Sequence, residues 1–139
     1  MAEIQNMTKA EWQVMRIIWT LGQATSKEVI DILEKKTTWK TATIKTLIIR
    51  LQKKNFLVAD ESNRPYIYKP LIAENDAIHE SVNDLFDSLC CMKKGKAIGD
   101  LIENSNISKG DINDLILQLQ NKREKASYEV ECDCLEARL

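Results

Sequence analysis

Thr41-Ala42-Thr43-Ile44-Lys45-Thr46-Leu47-Ile48-Ile49-Arg50-Leu51-Gln52-Lys53-Lys54 is the stretch that decides the fold. Ile44, Leu47, Ile48 and Leu51 follow the i, i+3, i+4, i+7 spacing of a helix that buries one stripe. A turn of about 100° per residue puts Ala42, Lys45, Thr46, Ile49, Arg50 and Lys53 on the other side. From Lys35 to Lys54 there are seven basic side chains and no acidic one. A merely solvated face would carry Glu among its Lys, because opposite charges four residues apart stabilise a helix and like charges repel. An acid-free face suits a partner that brings phosphates to it.

On either side of this helix the sequence supplies a frame for it. Thr8 with Glu11 and Thr25 with Glu28 are capping boxes. The first opens a helix with a stripe at Trp12, Met15, Ile18 and Trp19, widened by Val14 and Ile17 and closed by Gly22; the second opens a short helix through Val29, Ile32 and Leu33 to about Lys35. Asn55 can end the third helix. Phe56 to Asp60 and Tyr66 to Lys69 then read as two short strands around the polar turn Glu61-Ser62-Asn63-Arg64-Pro65. The expected fold is mostly α with a small β-hairpin: an N-terminal winged helix-turn-helix followed by C-terminal dimerisation helices.

Three regions are expected: a winged-helix DNA-binding domain over 1–70, a helical dimerisation domain over 71–125 and a cysteine-containing tail over 126–139. The net charge of −1 over 139 residues conceals this division. Up to Pro70 there are twelve basic and seven acidic side chains, and from Leu71 on eight and fourteen, so a region of +5 precedes one of −6. Beyond Pro70, Ile78, Val82, Leu85, Phe86 and Leu89 form a stripe on a helix of about eighteen residues from Ala73. Ala97, Ile98, Leu101 and Ile102 mark another helix, and Ser108 with Asp111 caps a last one bearing Ile112, Leu115, Ile116 and Leu119. Helices this short cannot easily cover their own apolar faces, so docking between two chains completes them. Ile78, Val82, Leu85, Phe86 and Leu89 are the expected dimer seam.

On the third helix and the hairpin, each side chain has a plausible partner on duplex DNA. Lys40, Lys53 and Lys54 can reach phosphates, Thr41 and Thr43 can donate to them, and Arg50 can meet phosphate or a guanine edge. Ala42 and Ile49 offer apolar contact to thymine methyls, with Lys45 and Thr46 beside them. Arg64, at the hairpin tip, is placed for the flanking backbone or minor groove.

The four cysteines, Cys90, Cys91, Cys132 and Cys134, all lie in the second half, which is not the spread of a disulfide framework. The charged start of the chain does not suit a signal peptide, and no run approaches the roughly 20 apolar residues of a membrane span. A cytoplasmic protein with reduced thiols and no membrane partner is expected. Cys132 and Cys134, one residue apart, are expected to bind metal, since soft thiolates select Cu(I) and also take zinc. Cys90 and Cys91 are expected to pack, one in a helix interface and the other partly exposed. His79 reads as a surface residue. No Gly-rich phosphate loop, nucleophile elbow or His-Glu-x-x-His occurs, so no enzyme is expected.

Met7-Thr8-Lys9-Ala10-Glu11-Trp12, Ile18-Trp19-Thr20-Leu21-Gly22 and Trp39-Lys40-Thr41-Ala42-Thr43-Ile44-Lys45-Thr46-Leu47 through Arg50-Leu51 resemble the BlaI/MecI group of winged-helix repressors. The Cys-x-Cys tail is similar to that of its copper-responsive CopY branch. The resemblance covers nearly the whole chain. It implies a homodimer on an inverted-repeat DNA operator of copper-homeostasis genes, with Cu(I) as inducer, Zn(II) at the tail thiolates of the DNA-bound form, and a copper-delivering chaperone as a further partner. The branch typically has two Cys-x-Cys pairs four residues apart, whereas here Leu135, Glu136, Ala137 and Arg138 lead to Leu139. Two chains would then pool four tail thiolates into one shared tetrahedral site. One alternative is a repressor of antibiotic resistance inactivated by proteolysis. Another is a winged-helix interaction module or thiol metal buffer that never touches DNA.

Overall fold

A computed structural model describes residues 7–135 and contains α1 (Lys9–Leu21), β1 (Ala24–Thr25), α2 (Ser26–Lys36), α3 (Thr41–Lys53), β2 (Leu57–Asp60), β3 (Ile67–Pro70), α4 (Glu74–Asp87), α5 (Cys91–Asn104) and α6 (Lys109–Arg123). The expected class holds: the described chain is mostly helical, with a small antiparallel sheet in an N-terminal winged helix and helices after it. It divides into two compact units, one reaching Asp84 and the other beginning at Leu85. Residues 136–139, Leu139 among them, lie outside the described residues.

Both capping boxes form. The Thr8 hydroxyl accepts from the Glu11 amide while the Glu11 carboxylate accepts from the Thr8 amide, and Thr25 and Glu28 repeat the exchange. Each box satisfies two amides that a helix start leaves without partners. Gly22 ends α1 at φ +86° and Asn55 follows α3 at φ +66°, left-handed conformations that suit Gly and Asn. The Asn55 bend lets the Phe56 amide donate to Leu51 O at 2.9 Å and starts the wing.

The stripes converge in one core. Val14, Met15 and Ile18 of α1, Val29 and Leu33 of α2, Ile44 and Leu51 of α3, and Phe56 are withdrawn from solvent. Each such side chain contributes about 2 kcal/mol through burial. The core takes in Ala77 of α4, and Trp19 Nε1 donates to Ile72 O at 2.9 Å, so residues past Pro70 pack with the first unit.

The sheet has one strand more than the sequence suggests. The order is β1-β3-β2, with Ala24 opposite Tyr68, Thr25 opposite Ile67 and Ala59 opposite Tyr68. Two residues show no alternation, so β1 is legible only through its partner. The helix expected to run about eighteen residues from Ala73 stops at Asp87. There the Ser88 and Leu89 amides donate to Leu85 O and Phe86 O, a tighter i to i+3 pattern that ends the helix and leaves Leu89 beyond it.

In the second unit no residue of α5 or α6 is buried. Leu101 and Leu119 are more than half exposed at 53% and 54%, and Leu85 reaches 61%. Among the described residues no helix is long and apolar enough to cross a membrane.

Glu11 does more than cap. Its side chain is fully buried, and Oε1 also accepts from Lys54 Nζ at 2.8 Å, 43 residues away, while Oε2 has no protein partner among the described residues. Burial pushes the carboxyl up, but the Lys54 ammonium and the Thr8 amide outweigh it and hold the group below the ordinary carboxylate value. A lowered carboxyl stabilises the fold above the ordinary value of about 4.3 and ceases to do so as pH falls through its folded value. Lys54→Ala, which leaves a buried carboxylate without its cation, is expected to lower stability by about 3 kcal/mol at neutral pH. Urea unfolding at pH 7 and at pH 3.5 should show that loss shrinking in acid as Glu11 takes up a proton.

Candidate nucleic-acid interface and metal centre

The apolar stripe sets the rotation of α3, and the opposite side is therefore open. Lys40, Thr41, Ala42, Thr43, Lys45, Thr46, Ile49, Arg50 and Lys53 are all exposed, with Ile49 half exposed at 50%. Lys40 caps α3 without a side-chain bond, and the first turn of the helix holds no acid. Ser26 at the start of α2, Lys45, Ile48 and Ile49 of α3, and Tyr68 of β3 line a shallow groove. Ser26 and Tyr68 carry no charge or period that could have brought them forward in the sequence.

Two neighbours modify this surface. Glu34, just upstream of the acid-free run, accepts from the Thr41 hydroxyl at 2.7 Å, so an acid stands at the start of α3. The Thr46 hydroxyl donates to Ala42 O at 2.9 Å and is thereby turned back onto its own helix. Lys54 is half-buried on Glu11, which sets it apart from the exposed Lys53.

In the wing between β2 and β3, Arg64 is exposed. Its guanidinium lies over the Tyr66 ring at 5.3 Å, and Nη2 donates to the Tyr66 hydroxyl at 3.3 Å. The ring steadies the cation at the wing, and such contacts tolerate solvent. Below it, Ser62 holds the Asp60 carboxyl under its ordinary value, with Lys69 Nζ 3.6 Å from Asp60.

The second site lies in the unit that begins at Leu85. Cys90, Cys132 and Cys134 come together with their sulfurs within 4.8 Å of one another, Cys90 Sγ and Cys132 Sγ being 3.6 Å apart. Four sulfurs bound tetrahedrally at about 2.3 Å lie about 3.8 Å apart, so the donor set fits a thiophilic ion. Cys90 and Cys91, expected to pack with one in a helix interface and the other partly exposed, are both half-buried, Cys90 capping α5 and Cys91 being its first residue. The early end of α4 places the pair at the start of α5.

Asp133 fastens the tail there. Oδ1 accepts from the Cys91 amide at 3.2 Å and Oδ2 from the Cys91 thiol at 2.9 Å, while the Cys134 amide donates to Cys132 Sγ at 3.4 Å. The Cys91 bond holds the Asp133 carboxyl down and pushes the Cys91 thiol up. Hydrogen bonding from Cys134, then from the Met92 amide, holds the Cys90 thiol below its ordinary value, while Cys134, as the donor, is pushed up to about 12. His79 Nδ1 lies 3.4 Å from the Asn83 amide nitrogen on α4.

A family model described as penicillinase repressor matches residues 7–121. An uncharacterized 16.5 kDa protein of the ptsI 3' region of Latilactobacillus sakei is 43% identical over 136 residues, spanning 97% of this chain and 93% of that one. The penicillinase repressor of Bacillus licheniformis is 32% identical over 127 residues, spanning 90% and 99%. The solution structure of the DNA-binding domain of the repressor BlaI is 38% identical, spans 55% of this chain and 93% of that one, and superposes with a TM-score of 0.49.

Lys45→Ala and Arg50→Ala should each weaken binding to duplex DNA by about tenfold while leaving helical circular dichroism unchanged. The unsubstituted protein, neutralising about six phosphates, should lose affinity with salt along a log-log slope near −5. A flat salt response in fluorescence anisotropy would contradict the interface.

Proposed function

The chain belongs to the penicillinase repressor family of winged-helix, DNA-binding transcriptional repressors, and on that premise we propose that it is the copper-responsive kind. It holds an inverted-repeat operator of copper-homeostasis genes as a homodimer in the cytoplasm, and it lets go when its tail thiolates exchange Zn(II) for Cu(I). The observation that carries this reading is the gathering of Cys132 and Cys134 into a sulfur-only cluster. Sulfur donors prefer Cu(I), and the two ions ask for different coordination, so exchange alters what the tail can hold.

On the DNA side, Lys40, Lys45, Arg50, Lys53 and Arg64 supply the charge for phosphates, with Lys54 contributing from the end of α3. Thr43 supplies a hydroxyl, those of Thr41 and Thr46 could turn to the DNA only by leaving Glu34 and Ala42 O, and Ala42 and Ile49 supply apolar contact in the groove. The exposed stripe of Ile78, Val82 and Leu85, with Phe86 and Leu89 half-buried beside it, supports pairing of two chains. A copper-delivering chaperone would load the thiols, since competing soft thiolates leave little Cu(I) free.

The kinship with the Bacillus licheniformis penicillinase repressor favours a second reading, in which proteolysis rather than copper ends repression. Mobility shifts with an inverted-repeat operator separate the two. Cu(I) added to the reduced protein should release the DNA. A complex that persists at every copper level, with Cys132 and Cys134 intact, removes the copper reading and leaves the proteolytic one. Leu85→Asp places a charge in the apolar seam and should convert the dimer to monomers in sedimentation.

A further inference from the structure

We infer that Cys90, Cys132 and Cys134 of one chain form a three-sulfur site for a single soft ion of the Cu(I) class, and that Asp133 is the positioning residue that assembles it. The inference rests on the copper reading only for the identity of the ion. It differs from a site shared between two tails, because all the donors come from one chain.

The placement of Cys90 is the central fact. It caps α5, so its backbone is held by a helix rather than by the tail, and its sulfur is 3.6 Å from that of Cys132. Cys134 completes a set in which every sulfur lies within 4.8 Å of the others. The set contains no imidazole and no carboxylate, and sulfur alone is a soft donor set. Three donors satisfy an ion that accepts low coordination, whereas a structural zinc site takes four. The donor count therefore favours the monovalent ion over zinc.

Asp133 explains why the one-residue spacer works. Its carboxylate accepts from the amide and the thiol of Cys91, the first residue of α5, where a negative charge meets the positive end of the helix. With the middle residue of Cys-Asp-Cys anchored on α5, the flanking cysteines are brought to Cys90. Cys91 serves the anchor and lies outside the sulfur set. Groups that orient ligands in this way typically change metal affinity by 10-fold to 100-fold when removed.

The test is titration of the reduced full-length protein with Cu(I) against a chromophoric Cu(I) chelator, with X-ray absorption to count sulfur neighbours. The unsubstituted protein should take one ion per chain with three sulfur neighbours. Cys90→Ser and Cys90→Ala should each fall to two sulfurs and lose about tenfold or more in affinity, with helical circular dichroism unchanged. Asp133→Ala should keep three sulfurs and bind about tenfold more weakly. Cys91→Ser, which keeps a donor for Asp133, should match the unsubstituted protein.

One ion per two chains, or full affinity and three sulfurs in both Cys90 variants, overturns the one-chain site. Unchanged affinity in Asp133→Ala overturns the positioning role. Operator release measured on the same samples separates this from the copper-sensing reading. A three-sulfur site that fills without releasing DNA upholds the site and ends the sensing, and release from Cys90→Ser at the same Cu(I) concentration as from the unsubstituted protein does the reverse.

Discussion

The burial of one stripe of α3 is the constraint on which the rest of the first unit depends. Ile44, Leu47, Ile48 and Leu51 enter the core formed by α1, α2 and the start of the wing. That burial leaves the helix one rotation about its axis, because turning it would expose four apolar side chains and bury lysines in their place. The exposure of Lys45, Ile49, Arg50 and Lys53 follows from this, as does the access of Ser26 and Tyr68 to the same groove. Packing and recognition are thus two consequences of one helical period.

The Glu11–Lys54 pair adds a constraint of another kind. A stripe fixes rotation but resists sliding less well, since neighbouring apolar residues can exchange places in a core. A charged contact at 2.8 Å is directional, and here it joins the start of α1 to the residue that caps α3. Glu11 satisfies helix α1, holds the end of α3 and occupies Lys54, so that lysine serves the fold. Arg64 on Tyr66 gives the wing a comparable fixture. Cations already held in place lose less freedom on meeting phosphate than free side chains do.

What was legible in the sequence was local and periodic. Both capping boxes, the stripes of α1 and α3, the bend at Asn55 and the Ser108 cap of α6 depend on residues three or four apart, which is the range over which a sequence displays its own contacts. What was missed depends on distance. β1 is two residues that become a strand only against Ile67 and Tyr68. Glu34 meets Thr41 across a helix-to-helix loop, and Lys54 meets Glu11 across 43 residues. The tail has no period, so its docking was invisible, and Cys90 joins Cys132 only across 42 residues. A signal did exist for that contact: a Cys-Cys pair beside an α5 start that lacks an Asp, Ser or Thr cap leaves that helix end seeking an outside acceptor. Asp133 supplies it.

The position of Cys90 also bears on how a thiol cluster can influence assembly. Cys90 directly follows Leu89, and Leu85 and Phe86 lie on the last turn of α4, so the proposed seam and the sulfur cluster share one short stretch of backbone. The turn between them is held by the Ser88 and Leu89 amides on Leu85 O and Phe86 O, two bonds of modest net strength. A ligand that binds Cys90 sulfur constrains that turn at one end, and a partner chain docked on Leu85 constrains it at the other. Where two ligands order the same segment, each alters the cost of the other, and the effect is equal in both directions. On the proposed reading, an ion on Cys90 and a second chain on Leu85 would therefore be linked through residues 85–90, whichever of the two is varied.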